Sequence, residues 1–195
     1  MILGLTGSSG SGKSTVARML EKIGFSVIDC DEISRNIDSV DEYKNAVREH
    51  FGADAFDNDG NISRRALGKM VFADKDKLAL LSSISHPLIK KEVVARLDEI
   101  KGQNAVIDAP LLFEGGLGDL CDMTIGVIAD ESVRTCRVAQ RDGLSENDAR
   151  SRVRAQKDAN FYREHCTFII DNSGKMNELK TSFSKITDLI GRKKQ

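Results

Sequence analysis

Residues Gly7 to Ser14 read Gly-Ser-Ser-Gly-Ser-Gly-Lys-Ser, a gapless match to the G-x-x-x-x-G-K-[ST] phosphate-binding loop. Glycines let the backbone curl until consecutive amide hydrogens point inward, where the positive end of a following helix reinforces them as a nest for phosphate oxygens. The ligand this pattern predicts is a nucleoside triphosphate, cradled by Gly10, Ser11 and Gly12. Lys13 then reaches the outer phosphates as a mobile point charge. The Ser14 hydroxyl completes one corner of a Mg2+ sphere that keeps most of its waters, and Thr15 follows at the helix start.

A phosphate loop alone does not separate kinases from switches, motors or synthetases, so the other strand ends matter. In open parallel sheets ligands sit beyond the carboxyl ends of the strands. Asp29 and Asp31 lie at such an end, and either carboxylate could orient an acceptor hydroxyl and take its proton. The competing reading is a group of acids at a helix start, favoured by the helix dipole. Asp108 also ends an apolar run, as a Mg2+-supporting acid or as a helix cap. Arg137, Arg141, Arg150 and Arg154 predict either a mobile segment that closes over phosphates or a salt-bridged helix face. The excess of eight basic over four acidic residues from Arg134 to Arg163 favours the closing segment. His86-Pro87 reads as a helix cap with proline in the first turn.

These groups need a scaffold, and the apolar pattern supplies one. Met1–Thr6, Phe25–Asp29, Ala105–Asp108, Met123–Ile128 and Phe168–Asp171 are short buried-strand signals, and the helical spacing of Val16, Leu20 and Ile23 joins the first two as a strand, helix, strand unit. An α/β fold with a five-stranded parallel sheet flanked by helices follows. Residues 32 to 103 interrupt it with helical spacing at Leu78, Leu81 and Ile84 and again at Leu88, Ile89, Val93, Leu97 and Ile100. Phe51-Gly52 and Asp59-Gly60 punctuate this insertion, and Ser63 caps a helix over 64–72. Ser145, three residues before Asp148, caps a short polar helix. Met176, Leu179, Phe183, Ile186 and Ile190 form one apolar helix face, ended by Gly191 and a basic tail.

At 195 residues, 40% hydrophobic and 30% charged, the chain suits one well-buried core. No apolar run is long enough for a membrane span. Met1 leads straight into the first strand with no basic region or cleavage site ahead of it, which predicts a cytoplasmic location. Cys30, Cys121, Cys136 and Cys166 form no C-x-x-C pair and read as reduced, packed thiols. A net charge of -1 predicts no nucleic-acid partner held by bulk electrostatics, and no guanine-reading N-K-x-D segment supports a switch protein.

Taken together, these segments resemble the dephospho-CoA kinase family nearly end to end. The resemblance is carried by Leu5-Thr6-Gly7 with Gly10 to Thr15, Val27 to Asp31, Phe51-Gly52, Asp59-Gly60, Arg65 to Leu67 and Val71-Phe72. It continues through Ser85 to Ile89, Pro110 to Glu114, Gln140 to Ser145, Gln156 and Ile169 to Gly174. It implies a P-loop NTPase fold of the nucleoside-monophosphate-kinase type, using ATP and Mg2+ to phosphorylate the ribose 3'-hydroxyl of dephospho-CoA. The implied parts are a nucleotide core (1–32, 104–137 and 161–195), a helical acceptor domain (33–103) and a lid (138–160). On this resemblance Asp31 is the base, Arg141 the lid arginine facing phosphate, and Asn172 part of a turn bordering adenine. His86, Pro87, Leu111 and Leu112 would shape the acceptor site. Two departures stand out: Ser8-Ser9 replace a glycine and an apolar residue, and no Pro-Gly occurs near Val40-Asp41.

Overall fold

The structure, a computed structural model, describes residues 1–192. The five apolar runs become β1 (Ile2–Thr6), β2 (Ser26–Asp29), β3 (Ala105–Asp108), β4 (Met123–Ile128) and β5 (Phe168–Asp171). They pair in parallel in the order β2-β3-β1-β4-β5. β1 is central, with strands added on one side and then on the other, so the order reverses at its carboxyl end and opens a crevice there. Every residue of β3 and β4 is buried, as expected of strands covered on both faces.

The period of two along each strand divides the interior into two apolar clusters. On one face Leu3, Leu5, Ile125 and Ile170 pack against Val16 and Leu20 of α1 (Lys13–Lys22). The other face, with Ile28 and Ile107, is covered by the insertion: α2 (Cys30–Asn36), α3 (Asp41–Phe51), α4 (Arg64–Phe72) and α5 (Lys75–Glu99). The helical segment and the sheet therefore share one apolar interior through Ile33, Val47, Leu67 and Val93. Ser63 caps α4 as expected, its hydroxyl accepting from the Ala66 amide.

α5 departs from the sequence reading. Pro87 does not begin a helix; it lies inside a single 25-residue one capped by Asp74. Proline in a helix interior costs about 3 kcal/mol, yet Leu81 and Ile84 before it and Leu88, Ile89 and Leu97 after it pack into the same cluster. Burial along both halves outweighs the missing hydrogen bond.

The basic region folds as α6 (Glu131–Asp142), α7 (Glu146–Arg154) and α8 (Ala159–His165). α6 and α7 enclose a small cluster of Val138, Ala149 and Val153. Ser145 caps α7 by accepting from the Asp148 amide. α9 (Met176–Arg192) buries Leu179, Phe183, Ile186 and Ile190, whereas Met176 is 53% exposed and Gly191 lies within the helix rather than ending it. The tail beyond residue 192 lies outside the described residues. Among the described residues no helix is long and apolar enough to cross a membrane.

Candidate active site

The phosphate loop joins β1 to α1 at the switch point of the sheet. Gly12 occupies the position before α1 with φ 96°, and a Cβ there would lie 2.1 Å from Asn172 Nδ2. A Cβ on Gly10 would lie 2.7 Å from the Arg134 carbonyl oxygen. Both glycines are thus required by close neighbours as well as by backbone conformation. The helix that follows starts at Lys13, and its first amides belong to the set a helix leaves without internal partners.

Loop shape is fixed from outside. The Asn172 side chain is buried and donates to the Ser11 carbonyl at 2.7 Å. Arg137 donates to the Gly10 and Asn172 carbonyls at 3.1 and 3.0 Å. Arg134, also buried, donates to the Ser9 carbonyl at 3.1 Å, the Val153 carbonyl at 3.3 Å and Gln156 Oε1 at 3.0 Å. Gln156 accepts from the Ser9 amide at 2.9 Å and donates to Ser9 Oγ at 3.0 Å. Ser8 Oγ donates to the Lys157 carbonyl at 2.9 Å and lies 3.0 Å from the buried Tyr162 hydroxyl. The two serines that depart from the family pattern are therefore the loop's links to the segment after α7.

In front of the loop opens a cavity of about 600 Å³ whose wall includes Gly10, Gly12, Lys13, Ser14, Arg137 and Arg141. Asp31, Pro110 and Leu111 line this cavity and also a neighbouring one of about 160 Å³, which reaches Cys30, His86, Ile89 and Leu117. The two spaces adjoin along these three residues, of which Asp31 is the one with an ionisable side chain. Asp29 is otherwise engaged: its Oδ1 accepts from the Asp31 and Glu32 amides and caps α2. Asp31 has no side-chain hydrogen bond or ion pair among the described residues.

Lys13 and Asp108 form an ion pair at the cavity floor, both nearly buried. Burial raises the Asp108 carboxyl above its ordinary range, and the Lys13 ammonium opposes that shift. Burial, with Asp108, Asp31 and Asp29 nearby, pushes the Cys30 thiol up to about 12. A thiol so raised is protonated near neutral pH and a poor nucleophile beside the smaller cavity.

The sequence-predicted residues thus divide. Gly10, Gly12, Lys13, Ser14, Asp31 and Arg141 line the large cavity, and His86 and Leu111 line the smaller one. Ser11 turns its buried hydroxyl away from the cavity, and Thr15 stands beside Arg18. Asn172 supports the loop from behind rather than lining the cavity. Leu112 is fully buried in the core against the Cβ-free face of Gly4, and Pro87 is exposed on α5; neither lines either of these two cavities. Of the four arginines read as a closing segment, Arg150 pairs with Glu146 and Arg154 with Glu131, as on a solvated helix face. Arg137 is held by two carbonyls. Arg141 is bidentate to Asp142 at 2.7 and 3.0 Å; this bonding raises the guanidinium and lowers the Asp142 carboxyl. Arg134 and Tyr162 lie outside the sequence-predicted site, because nothing in a basic run marks which of its members is buried.

A parallel sheet with its phosphate loop at the switch point, facing a carboxylate across a cleft, defines a P-loop kinase of small molecules. A family model described as dephospho-CoA kinase matches residues 1–178. The dephospho-CoA kinase of Halalkalibacterium halodurans is 32% identical over 98% of this chain and 96% of its own length. That of Carboxydothermus hydrogenoformans is 37% identical over 92% and 89%. A crystal structure of a Thermus thermophilus protein superimposes with a TM-score of 0.80 at 31% identity, covering 96% of each chain. At the level of fold alone, a Bacteroides thetaiotaomicron shikimate kinase is similar with a TM-score of 0.57 at 14% identity, covering 98% of each chain. The chain belongs to the dephospho-CoA kinase family.

Proposed function

We propose that this protein transfers the terminal phosphoryl group of ATP to the ribose 3'-hydroxyl of dephospho-CoA, giving coenzyme A. The observation that carries the reading is Asp31, an unpartnered carboxylate where the phosphate cavity meets the smaller cavity. Family membership supplies the identity of the acceptor.

Loop amides and Lys13 hold the donor phosphates, with Lys13 exchanging Asp108 for a phosphate oxygen. Ser14 is exposed on the cavity wall, and no group of three or more His, Cys, Asp or Glu side chains among the described residues forms a metal cage. That donor set fits Mg2+ arriving with phosphates and water rather than a resident ion, with Ser14 as its protein ligand. When bound, the ion neutralises charge on the phosphate oxygens. Asp31 accepts the proton of the acceptor hydroxyl, and that oxygen forms the new bond to phosphorus as the bond to the ADP oxygen breaks. Arg141 releases Asp142 and closes over the phosphates, while the α6 to α7 segment, residues 138–160, excludes water as a lid.

The test is a coupled assay of ADP release with ATP and dephospho-CoA, followed by identification of coenzyme A. For Asp31→Asn, which keeps shape and removes charge, kcat is expected to fall roughly a hundredfold or more with the KM for ATP little changed. Turnover with another alcohol and none with dephospho-CoA would refute the acceptor assignment. A fully active Asp31→Asn enzyme removes the base.

A further inference from the structure

The cations on the wall of the large cavity differ in what already holds them. Lys13 has Asp108, Arg141 has Asp142, and Arg137 has two backbone carbonyls. Lys157 has no carboxylate partner among the described residues; its ammonium sits over the Phe161 ring, 4.7 Å from the centroid. Its backbone, by contrast, is tied to the phosphate loop. The Lys157 carbonyl accepts from Ser8 Oγ, and the preceding residue, Gln156, is bonded to both the amide and the hydroxyl of Ser9. The root of the side chain is held at the loop's rim while its four-carbon stem can swing.

A half-buried ring face holds an ammonium only modestly, whereas a phosphate oxygen takes it in a charge-assisted hydrogen bond. An arriving phosphate therefore competes well for this group. The anchoring points, Ser8 and Ser9, lie at the opposite end of the loop from Lys13 and Ser14. The same cavity runs on to Asp31 and Leu111, toward which the transferred group must travel. Lys157 and Asp31 belong to the wall of one cavity, so a charge swung into it from beside Ser8 and Ser9 would join that of Lys13 at the outer phosphates, of which the terminal one is transferred.

We propose that Lys157 is a second phosphate-binding lysine that leaves the Phe161 ring to engage the terminal phosphate of the donor during transfer, with Ser8 as the residue that positions it. The inference rests on the reading of the cleft as an ATP-dependent kinase site, and goes beyond it by assigning charge stabilisation to a residue outside the loop motif. The reaction itself is unchanged: Lys157 keeps its proton, and no bond to it forms or breaks.

The experiment compares the full chain with Lys157→Met, which keeps the stem on the ring, and with Lys157→Arg and Lys157→Gln. ATP and ADP affinities are measured by calorimetry beside kcat and KM. A terminal-phosphate contact predicts that Lys157→Met and Lys157→Gln lose about tenfold in ATP affinity and in kcat while ADP affinity changes less than about twofold. Lys157→Arg restores most of both. An unchanged ATP-to-ADP affinity ratio, or equal weakening of both nucleotides, overturns the proposal. If Lys157→Met proves unstable, Lys157→Gln decides by the same ratio. A wild-type protein that binds ATP but makes no coenzyme A would defeat the acceptor reading, whereas the affinity ratio still judges Lys157.

Discussion

On the phosphate-loop side of the cleft the wall combines a backbone cradle with the charges of Lys13 and Arg141; on the opposite side it is made of side chains from three separate segments. The loop between β1 and α1 offers amides and a helix start, and its shape is imposed by Asn172, Arg134 and Arg137 bonding to its carbonyls. The opposite wall is made of Asp31, Leu111, His86 and Ile89, which come from α2, the segment after β3, and α5. A backbone cradle recognises what all nucleotides share, and it leaves little for side chains to vary. An assembled wall of side chains can be altered one residue at a time, which suits a surface that must choose among alcohols. A phosphate loop common to many proteins and a separate wall of side chains would then divide the labour of recognition between them.

The division can be tested by substitutions that strike one side and spare the other. The largest effect is expected from Lys13→Ala, which removes the loop's mobile charge and leaves Asp108 buried without its partner. Turnover should fall by about a thousandfold, with ATP binding weakened and dephospho-CoA binding retained in calorimetry. Loss of both affinities together would show that the two sides are not separable. Next is the pair Leu112→Ala and Leu111→Ala. The first should cost about 3 kcal/mol in denaturant unfolding, because Leu112 is fully buried, without changing either KM. The second, at a residue 52% exposed, should leave stability nearly intact and raise the KM for dephospho-CoA a few-fold, or roughly 1 kcal/mol, by loss of apolar contact. Reversed outcomes would exchange the roles given to these neighbours. Asn172→Ala leaves the Ser11 carbonyl without its donor, an expected loss of about 2 kcal/mol in stability, and should raise the KM for ATP but not for the acceptor.

The smallest effect concerns pH. Because Arg141 holds the Asp142 carboxyl below its ordinary range, that pair's contribution is complete above the unfolded carboxylate value and fades as pH falls through the lowered folded one. Asp142 is solvent-facing, so acid should loosen the end of α6 with little change in global unfolding. Amide exchange near residue 142, compared between wild type and Asp142→Asn, would measure it.

The same contrast explains what could be read from the chain alone. The donor side was legible because its chemistry is contiguous: one eight-residue run specifies loop and helix start, and the apolar runs of β3, β4 and β5 have the bounds the pattern predicts. The caps at Ser63 and Ser145 were legible for the same reason, being local bonds over three residues. Asp29 and Asp31 are legible as a pair; residue type alone does not separate them, the family resemblance favours Asp31, and in the structure Asp29 is the one that caps α2. What stayed hidden depends on distant neighbours. Leu111 and Leu112 differ in burial through packing at Gly4, and Arg134 differs from Arg150 only by facing the loop instead of solvent. Pro87 misled because a local preference was overridden by apolar contacts on both sides of it.

The bond from Asn172 to the loop spans 161 residues, and β1 completes its own pairing only through β3 and β4. The segment that follows β5 is made 161 residues after Ser11, so synthesis of the eight-residue motif and its final shaping are separated in time. The shape that would grip phosphate is thus a property of the assembled sheet, although the residues that encode it are consecutive.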